Sequence, residues 1–160
     1  MYTGSIGDSL ATTNGEFNCG GGSSADGIDT HPAAYFEVVL VSGFSSDGRM
    51  ANIHVGLVRP GVDHDKYQGH AGGDNAWYME MGEGSLWGNG EKGSNGKGGL
   101  KVGDRIGVAV QDNTVRWYVN GEEYNRHPKQ VTGSVVFGVQ VGFRGQQVRL
   151  ITNPTLPEGL

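Results

Sequence analysis

Seven short apolar runs set the terms for this chain: Tyr35 to Val41, Ile53 to Val58, Trp77 to Met81, Ile106 to Val110, Val115 to Val119, Val135 to Val141 and Val148 to Ile151. Each is four to seven residues long, rich in Val, Ile, Phe, Tyr and Trp, and bounded by Gly, Asp, Asn or Pro. That is the pattern of β-strands. No stretch keeps apolar residues at three-and-four spacing for the ~10 residues a helix needs. The glycines, 30 in 160 residues, would break most helical candidates. They follow no Gly-X-Y period and are interleaved with apolar runs, which excludes collagen and a disordered tail. The chain reads as all-β, with little or no helix.

Within Thr114 to Val119, Val115, Trp117 and Val119 share one face while Thr114, Arg116 and Tyr118 share the other, as a strand with one buried face requires. Asp112-Asn113 tolerate positive φ and predict a two-residue turn, which makes 105–119 a hairpin. Arg144-Gly145, between the last two runs, predicts a second hairpin. Seven or more short strands with frequent turns point to an antiparallel sandwich. A chain of 160 residues suits one domain, placed at 1–152, with the tail NPTLPEGL (153–160) as an arm or the start of a linker. Two segments, 59–76 and 82–101, are polar and glycine-rich and are expected to be long surface loops. Loops on a rigid scaffold tend to carry binding.

Twelve Lys and Arg against 17 Asp and Glu leave a net charge of −5, which argues against a nucleic-acid partner. No window approaches the ~18 apolar residues that span a bilayer, and MYTGSIGDSL lacks the basic and apolar regions of a signal peptide, so no membrane partner is expected. The absence of an Asn-x-Ser/Thr acceptor agrees with a cytoplasmic, intracellular location. A single cysteine, Cys19, expected in a glycine-rich turn, cannot form an internal bridge, and it has no identifiable base nearby that would make it a nucleophile.

Candidate chemistry thins out on inspection. GNGEKG, residues 88–93, matches a dinucleotide-binding string, but SNGKGG follows it and cannot start the helix that chemistry needs. Gly96-Lys97 fails as a P-loop, with Glu91 and Gly98 where a glycine and a hydroxyl belong. Asp63, His64, Asp65 and His70 could gather round a divalent metal, yet a solvated loop explains them equally well and no metal is expected. Glu80 and Glu83 are the nearest pair to a glycosidase dyad, but their spacing separates them and surface carboxylates are the simpler reading. No catalytic residue and no cofactor are expected, and the chain is not read as an enzyme.

The aromatics carry more. Trp117, Phe36 and Phe137 sit in alternating strands and are expected in the core. Trp87 and Tyr67 fall in the two glycine-rich segments, where each either pins its own loop or presents contact surface. Arg59, His64, Tyr67, His70, Asp74 and Trp87 form the candidate partner-binding set, because Trp, Tyr and Arg dominate interface energies.

The stretch VGDRIGVAVQDNTVRWYVNGEEY, residues 102–124, resembles the segment of SPRY (B30.2-like) domains in which Gly103-Asp104 leads an apolar strand and the next strand ends at Asn120-Gly121. AAYFEVVLVSG at 33–43, HVGLVRPG at 54–61, AWYMEMGEGSLWGNG at 76–90 and VVFGVQVGFRGQQVRLI at 135–151 fall in that family's order. The resemblance covers about residues 30–151, while 1–29 match loosely. It departs in the short hairpin at Gln111-Asp112-Asn113 and the glycine-laden 88–99. It implies a bent antiparallel sandwich of the concanavalin A-like jelly-roll kind. It also implies a non-catalytic module whose loops at one edge grip a protein or peptide partner. The oligomeric state stays open. A lectin-like carbohydrate-binding sandwich is the alternative, kept by Asp74-Asn75 beside Trp77.

Overall fold

A computed structural model describes residues 34–43, 50–62 and 75–160 in full, and the strand backbone at 2–3, 9–12 and 17–19. The strands in chain order are β1 (Tyr2–Thr3), β2 (Ser9–Thr12), β3 (Phe17–Cys19), β4 (Ala34–Ser42), β5 (Ile53–Val58), β6 (Ala76–Glu80) and β7 (Ser85–Gly88). They continue with β8 (Glu91–Ser94), β9 (Arg105–Gln111), β10 (Thr114–Val119), β11 (Glu122–Arg126), β12 (Gly133–Val141) and β13 (Gln147–Leu150). The described residues contain no helix, as the run lengths predict. Two antiparallel sheets result, a six-stranded one in the order β1-β13-β4-β9-β10-β11 and a seven-stranded one in the order β2-β12-β5-β6-β7-β8, with β3 also on β12.

Alternation along each strand builds the layer between the sheets. Val38, Leu40, Ile106, Val108, Val115 and Trp117 from the first sheet meet Ile53, Val55, Leu57, Trp77, Met79 and Leu86 from the second. The expected core aromatics are there: Trp117 is fully buried and donates its indole N–H to the Val55 carbonyl at 2.8 Å, and Phe36 stacks on Phe137 with centroids 5.1 Å apart. A single polar atom on a large ring is thus satisfied by the backbone of the opposite sheet, as burial demands. Gly56, at the centre of β5, lies so near β6 that a β-carbon there would sit 2.0 Å from the Trp77 carbonyl oxygen.

The predicted hairpin at Asp112-Asn113 forms, with φ of 50° and 60°. Gly103-Asp104 and Asn120-Gly121 prove to be one hydrogen-bonded knot. The Asp104 carboxylate accepts from the Lys101 amide (2.9 Å) and the Asn120 side chain (3.0 Å), while the Asn120 oxygen accepts from the Arg105 amide (3.0 Å).

Four expectations are corrected. Arg144-Gly145 does not make a hairpin: β12 lies in the seven-stranded sheet and β13 in the six-stranded one, so the chain crosses between layers there. Val141 and Val148 both face the core, and Gln146 holds the crossing by accepting from the amides of Gly142 and Phe143 (3.0 Å each) and donating to the Ala51 carbonyl (2.6 Å). The segment 82–101 is not all loop, since β7 and β8 pair within it through an Asn89-Gly90 turn with φ of 49° and 91°. β8 is an edge strand, which needs no apolar face. Glu80 is no surface carboxylate. It is 6% exposed and accepts from the amides of Asn52 (2.7 Å), Gly82 (2.9 Å) and Glu83 (2.9 Å), stapling the β6–β7 turn to the approach to β5. Cys19 stands in β3, opposite Gly133, and not in a turn.

Candidate functional site

One end of the sandwich collects the connections β5–β6, β7–β8, β9–β10 and β11–β12: antiparallel pairing joins the first three pairs there, and the fourth crosses at the same end from the six-stranded to the seven-stranded sheet. Their feet are tied together. The Arg59 amide donates to the Asn75 carbonyl at 2.7 Å, closing the base of the β5–β6 connection. The Asn89 side chain donates to the Ala76 carbonyl at 2.9 Å, linking the β7–β8 turn to β6. Val131 donates to the Asn113 carbonyl at 2.9 Å, linking the β11–β12 connection to the β9–β10 turn.

His127 completes the rim. It is 3% exposed, its Nδ1 accepts from the Lys129 amide at 3.1 Å, and its Nε2 lies 3.1 Å from the Gly88 carbonyl. An acceptor role at Nδ1 leaves the proton on Nε2, so a neutral ring clamps the β7–β8 turn to the β11–β12 connection. Burial lowers its pKa below the ordinary histidine value, outweighing the hydrogen bond to Gly88 and the charge of Glu91.

Arg59 is drawn into this frame. Its guanidinium lies 4.8 Å from the Trp77 ring centroid and donates to the carbonyls of Thr132 and, at 3.2 Å, Ser134. Trp77 is 1% exposed beneath it, so this ring offers no face to a sugar, which removes the aromatic support for the lectin reading.

Trp87 lies on β7 instead of a loop, and on the other face of the sheet. Leu57, Trp77 and Leu86 point into the core, so Val58, Ala76, Tyr78 and Trp87 point away from it and form a second apolar cluster with Val136 and Val62. The half-buried indole donates to the Ser85 hydroxyl at 3.1 Å and meets His54 edge-on at 6.3 Å. Below it, Tyr78 is wholly buried, its hydroxyl has no hydrogen-bond partner among the described residues, and burial drives its pKa far above the ordinary tyrosine value. The structure therefore brings Arg59 and Trp87 to the same end of the sheet but on opposite faces. His64, Tyr67, His70 and Asp74 lie outside the described residues, as do Asp63 and Asp65.

The rim contains groups that sequence reasoning missed: Asn89, His127 and the Thr132–Ser134 backbone. Asn89-Gly90 was the readable one, since Asn-Gly between two short strands is a strong hairpin signal. Among the described residues, no three His, Cys, Asp or Glu side chains come close enough to hold a metal ion, and no helix is long and apolar enough to cross a membrane. What the arrangement offers is a stiff frame with a long connection and a half-exposed indole at its border.

The SPRY domain family model matches residues 33–155. Among solved structures, the SPRY domain of human HERC1 superposes with a TM-score of 0.70 at 17% identity, covering 95% of this chain and 87% of that one. A second human SPRY domain gives a TM-score of 0.65 at 21% identity, covering 97% and 91%. No curated protein matches the sequence. Members of the matched family generally act as protein–protein interaction modules. With its two-layered antiparallel sandwich and a family match across three quarters of its length, the chain belongs to the SPRY domain family.

Proposed function

We propose that this chain is a non-catalytic recognition module of the cytoplasm that grips a short segment of a partner protein, as an adaptor or assembly component. The contact surface is the β5–β6 connection, 59–75, with His64, Tyr67, His70 and Asp74, together with the neighbouring indole of Trp87. Arg59 contributes by anchoring the first foot of that connection. The observation that carries this reading is the hydrogen-bonded rim that ties the described feet of all four connections together at one end, a stiff base from which loops can meet a partner.

The test is affinity for the partner that co-purifies with the chain from its native cell, measured with purified proteins. Tyr67→Ala and Trp87→Ala should each weaken binding by at least ~10-fold, as truncation of an interface aromatic does. Unchanged affinity in both variants, with the wild-type melting temperature retained, would contradict it.

A further inference from the structure

The outer face of the six-stranded sheet presents an arrangement that the loop end does not use. With Val38, Leu40, Ile106, Val108, Val115 and Trp117 turned into the core, Arg105, Arg116 and Arg149 turn out of it on β9, β10 and β13. Arg126, directly opposite Arg116 on β11, joins them. Among the described residues, two carboxylates serve three of these four guanidiniums. Glu37 accepts from the Tyr35 hydroxyl at 2.6 Å and has Arg105 Nε 3.9 Å away. Glu123 takes Arg116 at 3.3 Å and Arg126 at 2.5 Å.

Among the described outward side chains of these strands, four arginines (105, 116, 126, 149) against two glutamates (37, 123) leave 4 − 2 = +2, in a chain whose net charge is −5. The side chains of Arg105 and Arg126 are 50% and 58% exposed, while Arg116, which also bonds the Tyr118 hydroxyl, keeps a buried Nε with no acceptor among the described residues. Between the arginines stand Tyr35 and Tyr118, edge to face at 6.3 Å. The Tyr35 ring packs against Gly107, where a β-carbon would meet its hydroxyl at 2.2 Å. Guanidinium donors outnumber the acceptors offered to them, and a tyrosine pair supplies contact area at low entropic cost.

We propose that this face is a second docking surface, separate from the loop end, and that its occupant is an acidic segment of a protein partner whose carboxylates take the spare guanidinium donors. A short acidic peptide matches a local excess of two positive charges. A nucleic acid, with a charge at every phosphate, far exceeds that local excess and would meet the repulsion of a chain whose net charge is −5.

Fluorescence anisotropy with the whole chain tests this, using a fluorescein-labelled Glu/Asp-rich peptide, its Gln/Asn counterpart and a single-stranded DNA of similar length. The acidic peptide should bind, lose about 10-fold in affinity between ~50 and ~300 mM salt, and lose a further 10-fold or more in Arg105→Glu/Arg149→Glu, with the neutral peptide failing to bind. If that double variant does not keep the wild-type melting temperature, Arg149→Gln and Arg105→Gln take its place and should each give a partial loss. No binding of the acidic peptide at ~1 mM, binding indifferent to the arginine changes, or tighter binding of the DNA would each overturn the proposal.

Discussion

Arg59→Ala is the perturbation that separates a framework role from a contact role for this arginine. Truncation removes two hydrogen bonds from a charged donor, to the Thr132 and Ser134 carbonyls, and a cation held 4.8 Å from the Trp77 centroid. A bond from a charged group contributes ~1.5–3 kcal/mol, and the half-buried position of Arg59 places these at the lower end. The cation over the indole adds ~0.5–1 kcal/mol. The sum is about 3.5–4 kcal/mol, or ~7–16 °C in melting temperature for a domain of this size. Arg59→Lys keeps the charge but lacks the planar fork that reaches two carbonyls at once, so it should lose about half as much. Calorimetry and urea unfolding would read both. Amide exchange at Val135 should also rise in Arg59→Ala, since the guanidinium clamps the start of β12. A loss within ~0.5 kcal/mol of zero for Arg59→Ala, the range of an ordinary surface change, would refute the reasoning.

Gly56→Ala should cost ~3 kcal/mol or prevent folding, because the added carbon would lie 2.0 Å from the Trp77 carbonyl in mid-sheet; soluble yield and the urea midpoint check it. Glu80→Gln should lose ~1–2 kcal/mol, since the amide's NH2 must face one of the three amide donors that the carboxylate now accepts; Glu80→Ala, leaving all three, should lose more by the same assay. For His127, the folded-state pKa lies below that of the unfolded chain, so its contribution is fully present above pH ~6.5 and is lost as the pH falls through the folded value. The wild-type melting temperature should therefore fall on acidification over that range more steeply than that of His127→Gln, and parallel profiles would contradict the neutral clamp.

Much of the fold was legible because it rests on local pattern. Trp117 and Val115 alternate with Arg116, and the same alternation is seen in burial; Asp112-Asn113 announces its own turn through residues that tolerate positive φ. The failures share a cause. Arg144-Gly145 looks like a hairpin turn locally, and only Gln146 reaching Ala51, 95 residues away, reveals a crossing between sheets. Arg59 reads as a loop cation until Thr132 and Ser134, 73 and 75 residues on, are brought against it. Glu80 passes for a surface carboxylate because its ligands are backbone amides, which sequence does not distinguish. Trp87 reads as a loop residue because the glycines around it mask two short strands, although Asn89-Gly90 marks the turn between them. The arginine face was written in the strand pattern, as Arg105 and Arg116 fall at outward positions, but its coherence depends on β9, β10, β11 and β13 lying in one sheet.

The most direct test of the central claim, that the rim end is where a partner docks, is hydrogen–deuterium exchange of the chain with and without the co-purified partner. The account predicts protection concentrated in 59–75 and 85–92, with the opposite end, 95–104 and 142–146, unchanged. Protection centred on that opposite end, with 59–75 exchanging as in the free chain, would contradict it.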